Sequence, residues 1–185
     1  MKYYFFIIIF IISLQQSCQV PSLDNNEKVI KNFFDLASFF KKEAQYLNDK
    51  EIIIKKRITH NNSTEEQIKQ IGNWEKELKI FSDCDINKPS WKDRYILDST
   101  LSDNGFKTLH YEAKDKKAPT QVIDIELLNK EVLSIVIINK ETNNIFESQQ
   151  YLTYIPGKSY SIKKIQDVGL IGQETYLIEV EYIDQ

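Results

Sequence analysis

The chain has 185 residues, 42% of them hydrophobic, with 24 basic and 27 acidic side chains and a formal net charge of −3. That apolar content excludes a disordered protein, and basic residues scattered without a block or stripe exclude the phosphate-neutralising surface a nucleic-acid partner needs. The length suits one domain plus a targeting segment; a domain of this size buries roughly 70% of its unfolded surface and folds without a metal or disulfide.

The first element is a leader. Met1-Lys2 gives a positive start, Tyr3 to Ile12 an apolar run, and Ser13 to Ser17 a junction that ends at Cys18. This is the order of regions in a secretory signal, and the run is too short for the ~20 residues that span a hydrocarbon core. An ordinary leader peptidase wants small residues one and three positions before the cut, and Gln15 spoils the second of these. A lipoprotein junction wants Cys just after the cut, a small residue before it and an apolar residue slightly upstream, which Cys18, Ser17 and Leu14 supply. Residues 1–17 are therefore expected to be a lipoprotein signal peptide, 18–25 a lipidated tether and 26–185 a single domain. Diacylglyceryl and further acyl chains on Cys18 anchor stably, because each buried CH₂ contributes about 0.8 kcal/mol and two or three chains suffice.

Asp24 and Glu27 suggest a capping pair. Val29, Ile30, Phe33, Leu36, Ala37, Phe40, Ala44 and Leu47 then recur at helical spacing, predicting an amphipathic helix over 26–48. Residues 51–58 are β-branched and predict a strand. The next stretch has two readings. Asn61-Asn62 turns a hairpin into a strand at 64–71, or Ser63 and Glu66 form a capping box for a helix carrying Ile68, Ile71, Trp74, Leu78 and Phe81. The hairpin, followed by a short helix capped by Asn73, is favoured. From Trp91 onward the alternation predicts antiparallel strands near 93–99, 106–113, 120–128, 132–139, 145–155, 159–167 and 174–183. Their turns fall at Asp103-Asn104-Gly105, Asn129-Lys130, Asn143-Asn144 and Pro156-Gly157. The expected class is α+β, with the N-terminal helix and a short second helix packed on a meander-type, largely antiparallel sheet.

The chemistry-bearing residues are sparse. Phosphate loops, dinucleotide fingerprints and nucleophile elbows are missing. His60, His110 and Glu112 make a zinc site only by accident of folding, and a strand histidine is more often a surface residue. Asp124/Glu126 and Glu179/Glu181 alternate with aliphatic residues and read as solvent-facing positions. Cys84 lies between Asp83 and Asp85, which raise its pKa and make it a poor nucleophile. The tyrosines at strand positions either line a sugar- or lipid-binding surface or, more often, are packing partners across strands. No catalytic, cofactor-binding or metal residue is assigned, and no cofactor; Cys18 carries the one expected modification.

Asn32-Phe33-Phe34-Asp35-Leu36-Ala37-Ser38-Phe39-Phe40, Asn73-Trp74-Glu75-Lys76-Glu77-Leu78, Asp85-Ile86-Asn87-Lys88-Pro89-Ser90-Trp91 and Tyr151-Leu152-Thr153-Tyr154-Ile155-Pro156 resemble an uncharacterised family of Bacteroidetes lipoproteins. The junction Leu14 to Cys18 is similar to the looser lipobox of such proteins. The resemblance implies an envelope location, one domain and a hairpin before the Trp-containing helix, and it carries over no activity and no functional residue except the lipid-bearing Cys18. Gln19 after the cysteine and the lack of an acidic cluster in 19–23 then lead to the periplasmic face of the outer membrane. Two functions are expected: a non-enzymatic envelope module that binds a protein partner, or a carrier of a hydrophobic ligand or lipoprotein in a half-barrel-like cavity.

Overall fold

A computed structural model describes residues 33–143, 146–169 and 172–183. The leader 1–17, the tether 18–25 with Cys18, the Asp24/Glu27 pair and Asn144 lie outside the described residues. Among the described residues, nine strands form one antiparallel sheet in the order β2-β1-β9-β8-β7-β6-β5-β4-β3. They are β1 (Ile53–His60), β2 (Ser63–Gln70), β3 (Tyr95–Leu101), β4 (Phe106–Ala113), β5 (Thr120–Leu128), β6 (Glu131–Thr142), β7 (Phe146–Ile155), β8 (Ser159–Val168) and β9 (Gly172–Tyr182). Strands β3 to β9 run as a meander, and the β1–β2 hairpin docks on the last strand through β1. The β3–β4 turn shows how local chemistry sets the register. Gly105 sits at φ +81, a left-handed conformation that closes the three-residue loop, and a Cβ there would run into the Asn129 side chain.

The α+β class expected from the sequence is corrected. The described residues are mostly sheet, and helix is confined to α1 (Leu36–Lys50), the single turns α2 (Trp74–Glu77) and α3 (Lys79–Ser82), and a 3₁₀ turn at Pro89–Trp91. Of the helix expected over 26–48, residues 26–32 with Val29 and Ile30 lie outside the described residues, and the described part is found at Leu36–Lys50. It starts there because Asp35 caps it, accepting from the Ser38 N–H at 3.0 Å. The residues just before it are claimed by distant groups. Phe33 N–H donates to Asn87 Oδ1 at 3.1 Å, Phe34 N–H to the Tyr111 hydroxyl at 3.1 Å, and Asn87 Nδ2 to the Phe34 carbonyl at 3.0 Å. Nor does α1 lie on the sheet as a broad cover. Its neighbours are α2 and α3, and it reaches the strands through Phe39, Phe40 and Glu43, which meet Tyr154.

The stretch with two readings is strand β2, with every residue exposed. Asn73 caps α2 as expected, accepting from Lys76 N–H at 2.8 Å. The core lies where the short helices meet the sheet. Trp74, Phe40, Phe81, Leu78, Ile135, Ile137, Leu152, Tyr154 and Tyr160 are all 2% exposed or less. The tyrosines in it keep their polar ends satisfied: Tyr154 donates to Glu43 at 2.7 Å, and Tyr160 donates to Glu77, which Lys56 also engages at 2.5 Å.

Candidate binding groove

The pairing registers place whole rows of side chains on the helix-facing side of the sheet. One row is Ile123, Ile137, Leu152, Ile162, Ile178 and Ile58, from β5 to β1. Ile123, Ile137 and Leu152 are buried, Ile162 and Ile178 are partly exposed, and Ile58 is 41% exposed. The small helical layer thus stops before it has covered the row. The next row outward is polar: Thr120, Asn139, Gln150, Lys164, Tyr176 and His60. Six strands at ~4.8 Å spacing make it roughly 24 Å long.

Two depressions lie along this row. One, of about 390 Å³, has Ile162, Ile178 and Tyr176 in its floor and Ile80 of α3 in its wall. The other, of about 230 Å³, is lined by Cys84, Lys88, Trp91 and Asn139. Both are lined by Ile80 and Gln150, so they adjoin along the edge of the helical layer and are taken together as one groove.

Aromatic groups mark the two ends. At one end His60 stacks flat on Tyr176, with centroids 4.2 Å apart and planes at 5°. The Tyr176 hydroxyl donates to Glu174 at 3.0 Å, and that carboxylate pushes the phenol above its ordinary range. Asn61 fixes this end: its N–H donates to the Thr175 carbonyl at 2.9 Å, and its Oδ1 accepts from Thr175 N–H at 3.0 Å. At the other end the Lys88 ammonium lies 4.0 Å over the ring of Trp91, which is half-buried at the end of the 3₁₀ turn.

Cys84 is buried at this groove. Its thiol donates to the Ile80 carbonyl at 3.2 Å and accepts from Asn139 Nδ2 at 3.1 Å. Burial, with help from Asp83, pushes the thiol up, so it stays protonated and unreactive. Asn139 Oδ1 accepts no hydrogen bond from the described residues.

The other candidates from the sequence are dispersed. His110 lies on the opposite face of the sheet, with Nδ1 2.5 Å from Asp124 Oδ1, and its strand is remote from that of His60. Glu112 is exposed on the same strand as His110. Among the described residues, no group of three or more His, Cys, Asp or Glu is placed to hold a metal, and no helix is long and apolar enough to cross a membrane. Sequence reasoning missed Gln150, Lys164 and Asn139. Their alternation looks like that of any solvent-facing strand residue, and only the register over six strands reveals the row. Comparison with protein-family models, with curated proteins and with solved structures finds no match.

Proposed function

We propose that this chain is a non-enzymatic binding module of the cell envelope, exported by residues 1–17 and held through lipid on Cys18 at the periplasmic face of the outer membrane. Its ligand is an extended, aliphatic-polar segment of a protein partner, seated in the groove. The observation that carries this reading is the uncovered row from Gln150 to His60 beside Ile162 and Ile178. Aliphatic side chains of the partner rest on the two isoleucines, while the amides of Gln150 and Gln166 offer both donors and acceptors to a peptide backbone. The carrier alternative needs a cavity between helix and sheet. That space holds the Phe40, Phe81 and Tyr154 rings, whose centroids lie 5.0 to 5.8 Å apart.

The anchor and the groove are tested separately. Cells fed a fatty-acid analogue are expected to label the wild-type protein and not Cys18→Ala, and undiminished label in the variant overturns the anchor. The full-length protein in detergent micelles, panned against random dodecapeptides, is expected to retain sequences with aliphatic residues at alternate positions. Ile178→Glu and, with less risk to the fold, Gln150→Ala are expected to weaken those peptides at least tenfold and fivefold. Peptides that bind both variants as well as wild type, or no enrichment at all, overturn the groove.

A further inference from the structure

The two edges of the sheet differ. Strand β2 ends one side and carries Glu65, Glu66 and Lys69 among wholly exposed residues, a charged guard against pairing with another chain. Strand β3 ends the other side with a single charge, Asp98. Its Ile96, Leu97 and Leu101 are 55%, 45% and 73% exposed.

Among the described residues, no strand pairs with the outer side of β3, and its backbone faces outward in a defined pattern. Ser102 N–H bonds the Phe106 carbonyl at 2.9 Å and Lys114 N–H the Arg94 carbonyl at 2.8 Å. Residues in between alternate, so Ile96, Asp98 and Thr100 bond inward to β4. The N–H and C=O groups of Tyr95, Leu97, Ser99 and Leu101 therefore point out from the sheet edge.

We infer that β3 pairs antiparallel with β3 of a second copy of this chain, about a twofold axis at Ser99, joining two nine-stranded sheets edge to edge. The register follows from side-chain complementarity. With Ser99 opposite Ser99, Leu97 faces Leu101 of the other copy, and the reciprocal contact repeats it. Asp98 then faces Thr100. Moving the axis to Asp98 sets two carboxylates against each other, moving it to Leu97 sets Leu101 against Asp93, and moving it to Thr100 sets Leu97 against Asp103. One register therefore matches apolar to apolar with no like charges opposed. An edge alone buries less than the ~1,000 Å² of a stable interface, so the dimer is weak in dilute solution and favoured where copies are concentrated.

The test uses the full chain in the membranes of expressing cells under mild oxidation. Ser99→Cys is expected to give a disulfide-linked species of twice the chain mass, since directly opposed residues place Cα atoms within disulfide reach. Thr64→Cys on the guarded edge is expected to stay monomeric. Adding Leu101→Lys to Ser99→Cys is expected to cut the cross-linked fraction at least tenfold. Leu101 is mostly exposed, and an unchanged thermal midpoint checks that the fold survives. No product from Ser99→Cys, a product with another protein, equal product from Thr64→Cys, or indifference to Leu101→Lys overturns the pairing.

Discussion

Phe81→Ala is expected to lower the unfolding free energy by about 3–5 kcal/mol, the range for deleting a buried aromatic ring. Phe81 has no exposed surface and stands at the junction of every layer. Its ring stacks on Phe40 of α1 at 5.1 Å, and it meets Tyr154 of β7 edge-on at 5.8 Å and Tyr160 of β8 at 5.9 Å. Such ring pairs contribute about 0.5–1.5 kcal/mol each beyond the burial of area. The neighbours cannot collapse inward, because Tyr154 and Tyr160 are held by hydrogen bonds to Glu43 and Glu77. The cavity therefore persists. Tyr46→Ala, on the exposed face of α1, is expected to stay within about 0.5 kcal/mol. Urea unfolding of both variants makes the comparison, and equal losses would show that the helices do not share the core with the sheet.

Glu77→Ala is the second large effect, at about 3–5 kcal/mol, because it strands a cation with little access to water. The Lys56 and Glu77 side chains are 14% and 23% exposed, with Nζ 2.5 Å from Oε1. Burial opposes the Glu77 carboxylate, yet hydrogen bonds from Lys56 and Tyr160 outweigh it and hold the group below its ordinary range. A carboxylate depressed in the folded state stabilises the protein above its unfolded pKa, and that share is lost as pH falls through the folded pKa. Wild-type stability is thus expected to drop as pH falls below the ordinary carboxylate range near 4.5. Glu77→Gln is expected to start lower at pH 7 and to show a shallower drop over the same window. Thermal midpoints from pH 7 to pH 3 measure this, and parallel curves would remove Glu77 from the acid response.

The meander was legible because its turns are chemically explicit. Asp103-Asn104-Gly105, Asn129-Lys130 and Pro156-Gly157 each sit between alternating runs, and the hairpins form there. The helical spacing at Phe33 was misleading for a physical reason. Phe33 and Phe34 have their backbone groups bound by Asn87 and Tyr111, more than 50 residues away, and no local pattern foretells that. The class was overestimated in helix because one apolar stripe was read as a cover for the whole sheet. Among the described residues, three short helices cover only part of one face. The groove is what that shortfall leaves, so it was hidden for the same reason. Gln150 and Lys164 look alike in sequence to Glu126 or Lys163, and only the limit of the helical layer separates them.

The pairing of β1 with β9 also has a consequence in time. Ile58 and Ile178 are partners although about 120 residues lie between them, so the hairpin made first is completed by the strand made last. In a chain delivered N-terminus first, β1 waits for its neighbour until those residues have followed it. During that wait its open edge carries Lys55, Lys56 and Arg57, whose mutual repulsion keeps early hairpins on different chains apart. A nascent chain that stops short of β9 therefore loses three strands from the sheet instead of one.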